Sequence, residues 1–242
     1  GRQFRWWRSV GRMVIKLAPD MYERIATAIA EAETRTSGEI FCVMAQQVSS
    51  YRDVSLGWAA AAALILPLAL IPLGMDPSWV PGLADAWQAG HLAFTDVAVA
   101  QNLSAYALIQ AATFIVVFLL TSIQPVRRWV TPRQVRQARV RKAALQQFLA
   151  HGLHVTEART GVLLFACAAD RQVEVIADKG IHSRVEPEVW ADAVQALAQG
   201  LKAGDPVDGF QTAIGLCGDV LARHFPPRPL NRNEIADKLV VM

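Results

Sequence analysis

The sequence predicts an α/β protein in which a small mixed sheet lies between helices and is interrupted by a two-helix transmembrane hairpin. Two observations lead there. Val54 to Met75 and Val97 to Val126 are uncharged stretches of 22 and 30 residues, bounded by Asp53, Asp76, Asp96 and Arg127. Ile40 to Ala45 and Gly161 to Ala169 are unbroken apolar runs, the pattern of strands covered on both faces.

The chain opens with a basic, aromatic segment, residues 1–18, containing Arg2, Arg5, Trp6, Trp7 and Arg8 and lacking the apolar core of a signal peptide. Residues 19–53 are expected to form the first part of a soluble domain. Pro19 and Asp20 start a helix whose Met21, Ile25, Ala28, Ile29 and Ala32 share one face, and Ser37-Gly38 closes it. The strand Glu39 to Val48 follows and belongs in the middle of a sheet.

Residues 54–126 then form the hairpin, with an outside loop over 76–102 and a second span over Leu103 to Ile123. About 20 apolar residues in a helix cross the hydrocarbon core. Leu64 to Leu73 and Phe114 to Leu120 are apolar on every face, which a helix in a soluble core would not require. The loop has no Lys or Arg, whereas Arg52 precedes the first span and Arg127, Arg128, Arg133, Arg136, Arg139, Arg141 and Lys142 follow the second. The bias of basic residues toward the cytoplasm places the loop outside and both termini inside, at an inner (cytoplasmic) membrane. Ala59 to Ala63 and Ala105, Ala107, Ala111 and Ala112 would let the helices pack closely.

Residues 127–227 complete the soluble domain. A basic helix runs from Arg133 to about Ala150, Gly152 ends it, and Gly161 to Ala169 pairs through Asp170-Arg171 with a half-exposed edge strand around Val173 and Val175. Glu186-Pro187 and Asp205-Pro206 start two amphipathic helices, the first ending at Gly200 or Gly204. Two or three layers are compatible with this order. Residues 228–242 are a tail ending in Leu239-Val240-Val241-Met242, expected to dock on something.

The net charge of +3 conceals basic clusters that abut the spans, so an anionic leaflet is the expected partner and nucleic acid is not. Cys42, Cys167 and Cys217 lie in apolar runs without CxxC spacing and read as buried hydrophobes in a reducing compartment. There is no phosphate loop, HExxH or GxSxG, so no catalytic residue is assigned and no small-molecule substrate is expected. His151 and His154 form an HxxH pair, more simply surface or capping groups than metal ligands. If the two apolar strands are parallel, Glu39 and Gly161 start side by side and the hairpin returns Asp178 to the same end. Glu39 and Asp178, joined by Glu157, Glu186, Asp205 or Asp208, would then offer Ca²⁺ or Mg²⁺ a site, although no cofactor is required. The alternative is that Glu186 and Asp205 cap helices and Asp178-Lys179-Gly180 is a turn.

Ile29-Ala30-Glu31-Ala32-Glu33, Thr36 to Ile40, Arg159 to Leu163, Arg171 to Ile181, Gly204-Asp205, Gly209-Phe210, Asn233-Glu234-Ile235 and Leu239-Val240-Val241 together resemble the TPM-domain family, named for thylakoid, photosystem and acetylcholine-receptor accessory proteins. The resemblance covers about 140 residues and implies an α/β/α fold with a small central sheet, in a bacterial branch carrying an inserted two-span hairpin. It further implies partner binding beside membrane complexes, and in some members divalent-cation binding or acid phosphatase activity. The expected function is therefore a non-catalytic accessory or assembly protein that presents a cytoplasmic domain to an integral membrane protein complex. A divalent-metal-dependent acid phosphatase at the cytoplasmic face is the alternative. Trp6, Trp7, Arg127, Arg128, Trp129, Leu239 and Val240 are the residues expected to touch lipid or that partner.

Overall fold

The computed structural model describes residues 18–70, 96–228 and 233–242, which form two compact units. Trp6 and Trp7 lie outside the described residues, as do 71–95, where the end of the first span and most of the outside loop are expected, and 229–232. One unit comprises residues 1–49 and 133–242, the other Ser50–Pro132.

The first unit begins with α1, Pro19–Glu33, which buries Ile25, Ile29 and Ala32. Strand β1, Glu39–Ala45, is buried along its whole length. The full elements introduced by the rest of the chain are α2 and α3 of the second unit, Arg52–Leu70 and Asp96–Ser122, and then α4, Gln124–Val130. The first unit resumes with α5, Arg133–Ala150, β2, Gly161–Cys167, β3, Gln172–Ala177, and the short α6, Lys179–His182. A 3-10 turn at Pro187–Trp190 leads into α7, Ala191–Ala203, followed by α8, Pro206–His224, and β4, Leu239–Val241.

The four-stranded sheet has the order β3-β2-β1-β4. β1 is parallel to both β2 and β4, and β3 runs antiparallel to β2, so the sheet is mixed. Alternate residues of the central strands serve opposite faces. Ile40, Cys42, Met44, Val162, Leu164 and Ala166 pack with residues of α1, α7 and α8. Phe41, Val43, Ala45, Leu163, Phe165 and Cys167 pack with Val140, Ala144 and Phe148 of α5. Helices on both faces make three layers, which resolves the choice left open by element order.

Gly204 takes φ +83 at the end of α7, so it is the glycine that closes that helix. Gly200 has another use: a Cβ there would come 2.6 Å from Gly209 Cα, and the two glycines let α7 and α8 touch backbone to backbone. All three cysteines are free and buried.

The tail docks on its own sheet. Leu239 and Val240, expected at a partner or membrane contact, instead form β4, with Leu239 beside Cys42 and Val240 beside Val43. Leu239 is buried, and Val240 packs on the α5 side of the sheet. An apolar β-branched segment beside an unpaired strand edge closes that edge and satisfies its backbone groups.

In the second unit, α2 and α3 pack along each other. Ser55 Oγ donates to Thr121 O at 3.2 Å, and Ser55, Ala59, Ala63 and Thr121 are buried. These α2 positions recur every four residues, one stripe of a helix. Leu64, Ile65 and Leu68 of α2 and Leu108, Ile115, Val116 and Leu119 of α3 are exposed. The unit is small and polar inside and large and apolar outside.

One sequence expectation needs correction here. Residues 96–102, assigned to the outside loop, already belong to α3. The helix expected over Leu103 to Ile123 lies within α3 up to Ser122; Ile123 is extended, and α4 leaves at 99°. Pro125 has no N–H to give the preceding turn and is accommodated in the first turn of a new helix, so it marks the break. Among the described residues Arg52–Ala69 is, by itself, long and apolar enough to cross a membrane, with 22% of that window buried. Tyr106–Ser122 and Gln124–Val130 reach that standard together as a bent pair.

Candidate functional site

Parallel pairing of β1 with β2 sets Glu39 opposite Gly161, and Asp178 N donates to Gly161 O at 2.9 Å. The two carboxylates singled out in the sequence therefore flank the same end of the sheet. They stand two strand spacings apart, about 10 Å between backbones. Their side chains serve different partners. Asp178 Oδ1 accepts from Lys179 N at 2.6 Å and caps α6, while Glu39 Oε1 accepts from Glu234 N at 3.3 Å in the tail. Each is buried, 7% exposed for Asp178 and 4% for Glu39, and the second oxygen of each, Oδ2 and Oε2, has no hydrogen-bond partner.

The carboxylates that surround Glu39 come from α1 and the tail. Glu33 Oε1 accepts from Ile40 N at 2.7 Å, tying the last residue of α1 to the second residue of β1. Burial pushes the Glu33 carboxyl up to about 9; the Ile40 N–H opposes this, and the neighbouring Glu39 and Asp237 add to it. Glu39 is also raised, first by burial, with the N–H groups of Glu234 and Ile235 opposing and Glu234 and Asp237 adding. Asp237 accepts from Asn233 Nδ2 at 2.7 Å, and Glu234 accepts from Glu157 N at 3.0 Å. Glu33, Glu234 and Asp237 were missed in the sequence because Glu33 reads as the outer end of an amphipathic helix and the tail reads as separate. The available signal was the six-residue step from Glu33 to Glu39 around a Thr-Ser-Gly turn.

The other candidates disperse. Asp205 Oδ1 accepts from Asp208 N at 3.1 Å and caps α8, as the helix-capping alternative requires. Glu186 stands at the start of the 3-10 turn without a side-chain cap, and Glu157 contributes its backbone N–H to Glu234. His151 lays its ring on Phe41, 4.4 Å between centroids, and burial followed by Lys238 lowers its basicity. His154 Nδ1 is buried and has no hydrogen-bond partner. Among the described residues no three His, Cys, Asp or Glu side chains are grouped to hold a metal ion. The two unpartnered carboxylate oxygens are acceptors at that end of the sheet.

In the second unit, Arg127 Nη1 donates to Ser50 O at 3.2 Å and its guanidinium carbon lies 5.7 Å from the centre of the Tyr51 ring. This cation-π pair joins the two ends of the unit's chain. Arg127 therefore clasps these two ends, a contact that its place in a basic run did not reveal. Trp129 is 88% exposed, and Trp58 Nε1 donates to Val130 O at 3.1 Å.

Residues 121–220 match the family model of the TPM domain. The TPM match covers less than half of the chain and omits α1 and β1, which precede α2 in sequence although β1 belongs to the same sheet as β2 and β3. Among solved structures, the protein is similar to the NMR structure of the BA42 protein from the psychrophilic bacterium Bizionia argentinensis sp. nov., with a TM-score of 0.55 at 16% identity, over 96% of this chain and 99% of that one. Likeness at that identity concerns fold. No curated protein matches.

Proposed function

We propose that the protein is a non-catalytic accessory or assembly factor, anchored in a bacterial inner membrane by its hairpin, with both termini cytoplasmic and the α/β unit offered to an integral membrane protein complex. The observation that carries the anchor is the polarity of the second unit: Ser55, Ala59, Ala63 and Thr121 inside, Leu64, Ile65, Ile115 and Leu119 outside. Large apolar side chains facing outward cost little in lipid, where close packing of small residues and an interhelical hydrogen bond hold helices together. In water the same surface would be a liability for aggregation. The concentration of Arg after α3 favours the cytoplasmic placement of that end. The accessory role rests on the TPM resemblance and the absence of a catalytic motif from the sequence.

Washing native membranes with alkaline carbonate and then extracting them gently with detergent tests both parts. The protein should stay in the carbonate pellet and then run as a large particle with defined companions. Release by carbonate would overturn the anchor; a lone monomer or small homo-oligomer would overturn the accessory role.

A second reading, a divalent-metal-dependent acid phosphatase on the cytoplasmic face, draws on the unpartnered oxygens of Glu39 and Asp178. On this reading the detergent-purified protein hydrolyses a generic phosphate ester when Ca²⁺ or Mg²⁺ is supplied, and chelator or Asp178→Asn lowers turnover at least tenfold. A rate independent of metal, or unchanged in Asp178→Asn, would remove it.

A further inference from the structure

We infer that α4 is an in-plane helix seated in the phospholipid headgroup layer of the leaflet where the hairpin ends, with Trp129 inserted among the headgroups. This rests on the membrane reading above and adds to it a fixed depth and a lipid-binding element. The decisive observation is the bend of 99° between α3 and α4. A helix that crosses the bilayer and turns through a right angle continues along the surface, since its onward direction has almost no component along the membrane normal. At about 1.5 Å per residue, the seven residues of α4 run about 10 Å in that plane.

Three further contacts fix where that plane lies. Arg127 on Tyr51 and Ser50 holds α4 at the end of the unit where its chain begins. The bond from Trp58 Nε1 to Val130 O ties the end of α4 to the second turn of α2. It also satisfies the Trp58 indole donor while leaving half of that ring exposed. Two indoles, Trp58 and Trp129, thus border the apolar surface of the hairpin at one level. Such rings prefer the interface, where the apolar body meets acyl chain and the N–H meets headgroup oxygen. α4 contains Arg127 and Arg128 and no acidic residue, so its charge complements lipid phosphate. The occupant is lipid rather than a second protein because Leu119, Leu120 and Ile123 stay exposed up to this level, where the indoles and arginines mark the change from acyl chain to headgroup.

The test is site-directed spin labelling of the full protein in lipid nanodiscs containing phosphatidylglycerol and phosphatidylethanolamine. The three native cysteines are buried and do not compete for label. Three single variants are compared: Ile115→Cys on the outer face of α3, Trp129→Cys, and Lys202→Cys on the exposed surface of α7. Accessibility to oxygen and to a water-soluble nickel chelate is read for each. The label at 115 should favour oxygen strongly, the label at 202 should favour nickel, and the label at 129 should fall between, at headgroup depth. Trp129→Phe, which keeps an interfacial ring, should leave the protein as fully membrane-associated as the parent. A label at 129 as open to nickel as that at 202, while 115 remains in hydrocarbon, would overturn the in-plane helix and leave the anchor standing. A label at 129 closed to both reagents would assign the surface to protein contact and overturn it as well. A label at 115 open to nickel would sink the membrane reading itself.

Discussion

Stability of the α/β unit should fall as pH rises from about 4.5 toward 9, and Glu33→Gln should remove most of that dependence. The folded Glu33 carboxyl titrates at about 9 against an ordinary 4.5, because burial and the facing Glu39 and Asp237 disfavour its charge. The folded state therefore holds a proton that the unfolded chain releases near 4.5. Its contribution is complete below that pH and is lost progressively on the way to about 9. The limiting slope is about 1.4 kcal/mol per pH unit. Partial exposure and relaxation reduce the whole effect to about 1–3 kcal/mol. A glutamine keeps a carbonyl oxygen for Ile40 N, so Glu33→Gln should be more stable than the parent at pH 8 by about that amount and equal to it near pH 4.5. Urea midpoints of the detergent-solubilised protein across this range measure it. An unchanged pH profile in the variant would show that the Glu33 carboxyl does not hold the proton.

Phe165→Ala should cost about 3–5 kcal/mol. Phe165 is fully buried on the face of β2 covered by α5, against a cluster that includes Val140, Ala144 and Phe148. One helix covers this face whereas three cover the other, so little can collapse into the space that the ring leaves. Hydrogen exchange of the β2 amides should accelerate by about two to four orders of magnitude if their opening is global. A loss below about 1 kcal/mol would mean that this side of the sheet is loosely packed.

The residues that make the sheet legible in the sequence are the unbroken apolar runs. A strand buried on both faces needs no alternation, so Ile40 to Ala45 and Gly161 to Cys167 announce central positions, and β1 and β2 are indeed neighbours at the centre. The turn at Asp170-Arg171 likewise fixes β3 as the antiparallel partner of β2. The third neighbour of the core was not legible. Leu239-Val240-Val241 is apolar in the same way, but three residues after a polar, proline-led segment look equally like a sticky end, and only the open edge of β1 decides that they form a strand.

The candidate site divides along the same line. Glu39 and Asp178 reach one end of the sheet by strand register alone, a matter of counting along the chain. Their side-chain partners are set by what folds over them: the tail for Glu39, the first turn of α6 for Asp178. Arg127 shows the difference at a single residue. A basic residue after an apolar span suggests headgroup contact, yet its place over Tyr51 depends on the two ends of the hairpin unit meeting.

What the sequence determined by itself is composition spread over a local length: two uncharged stretches, two apolar strands, amphipathic helices with proline starts, and basic residues gathered beside the second uncharged stretch. These follow from helix rise, side-chain alternation and the cost of moving charge out of water, all of which act on neighbours in the chain. Only the tertiary structure decided the 99° turn into α4, the closure of the sheet by β4, and the meeting of Glu33 with Glu39 and Asp237. Each of these depends on groups brought together from different elements, where the energy of burial and pairing belongs to the assembled contact rather than to any stretch of the sequence.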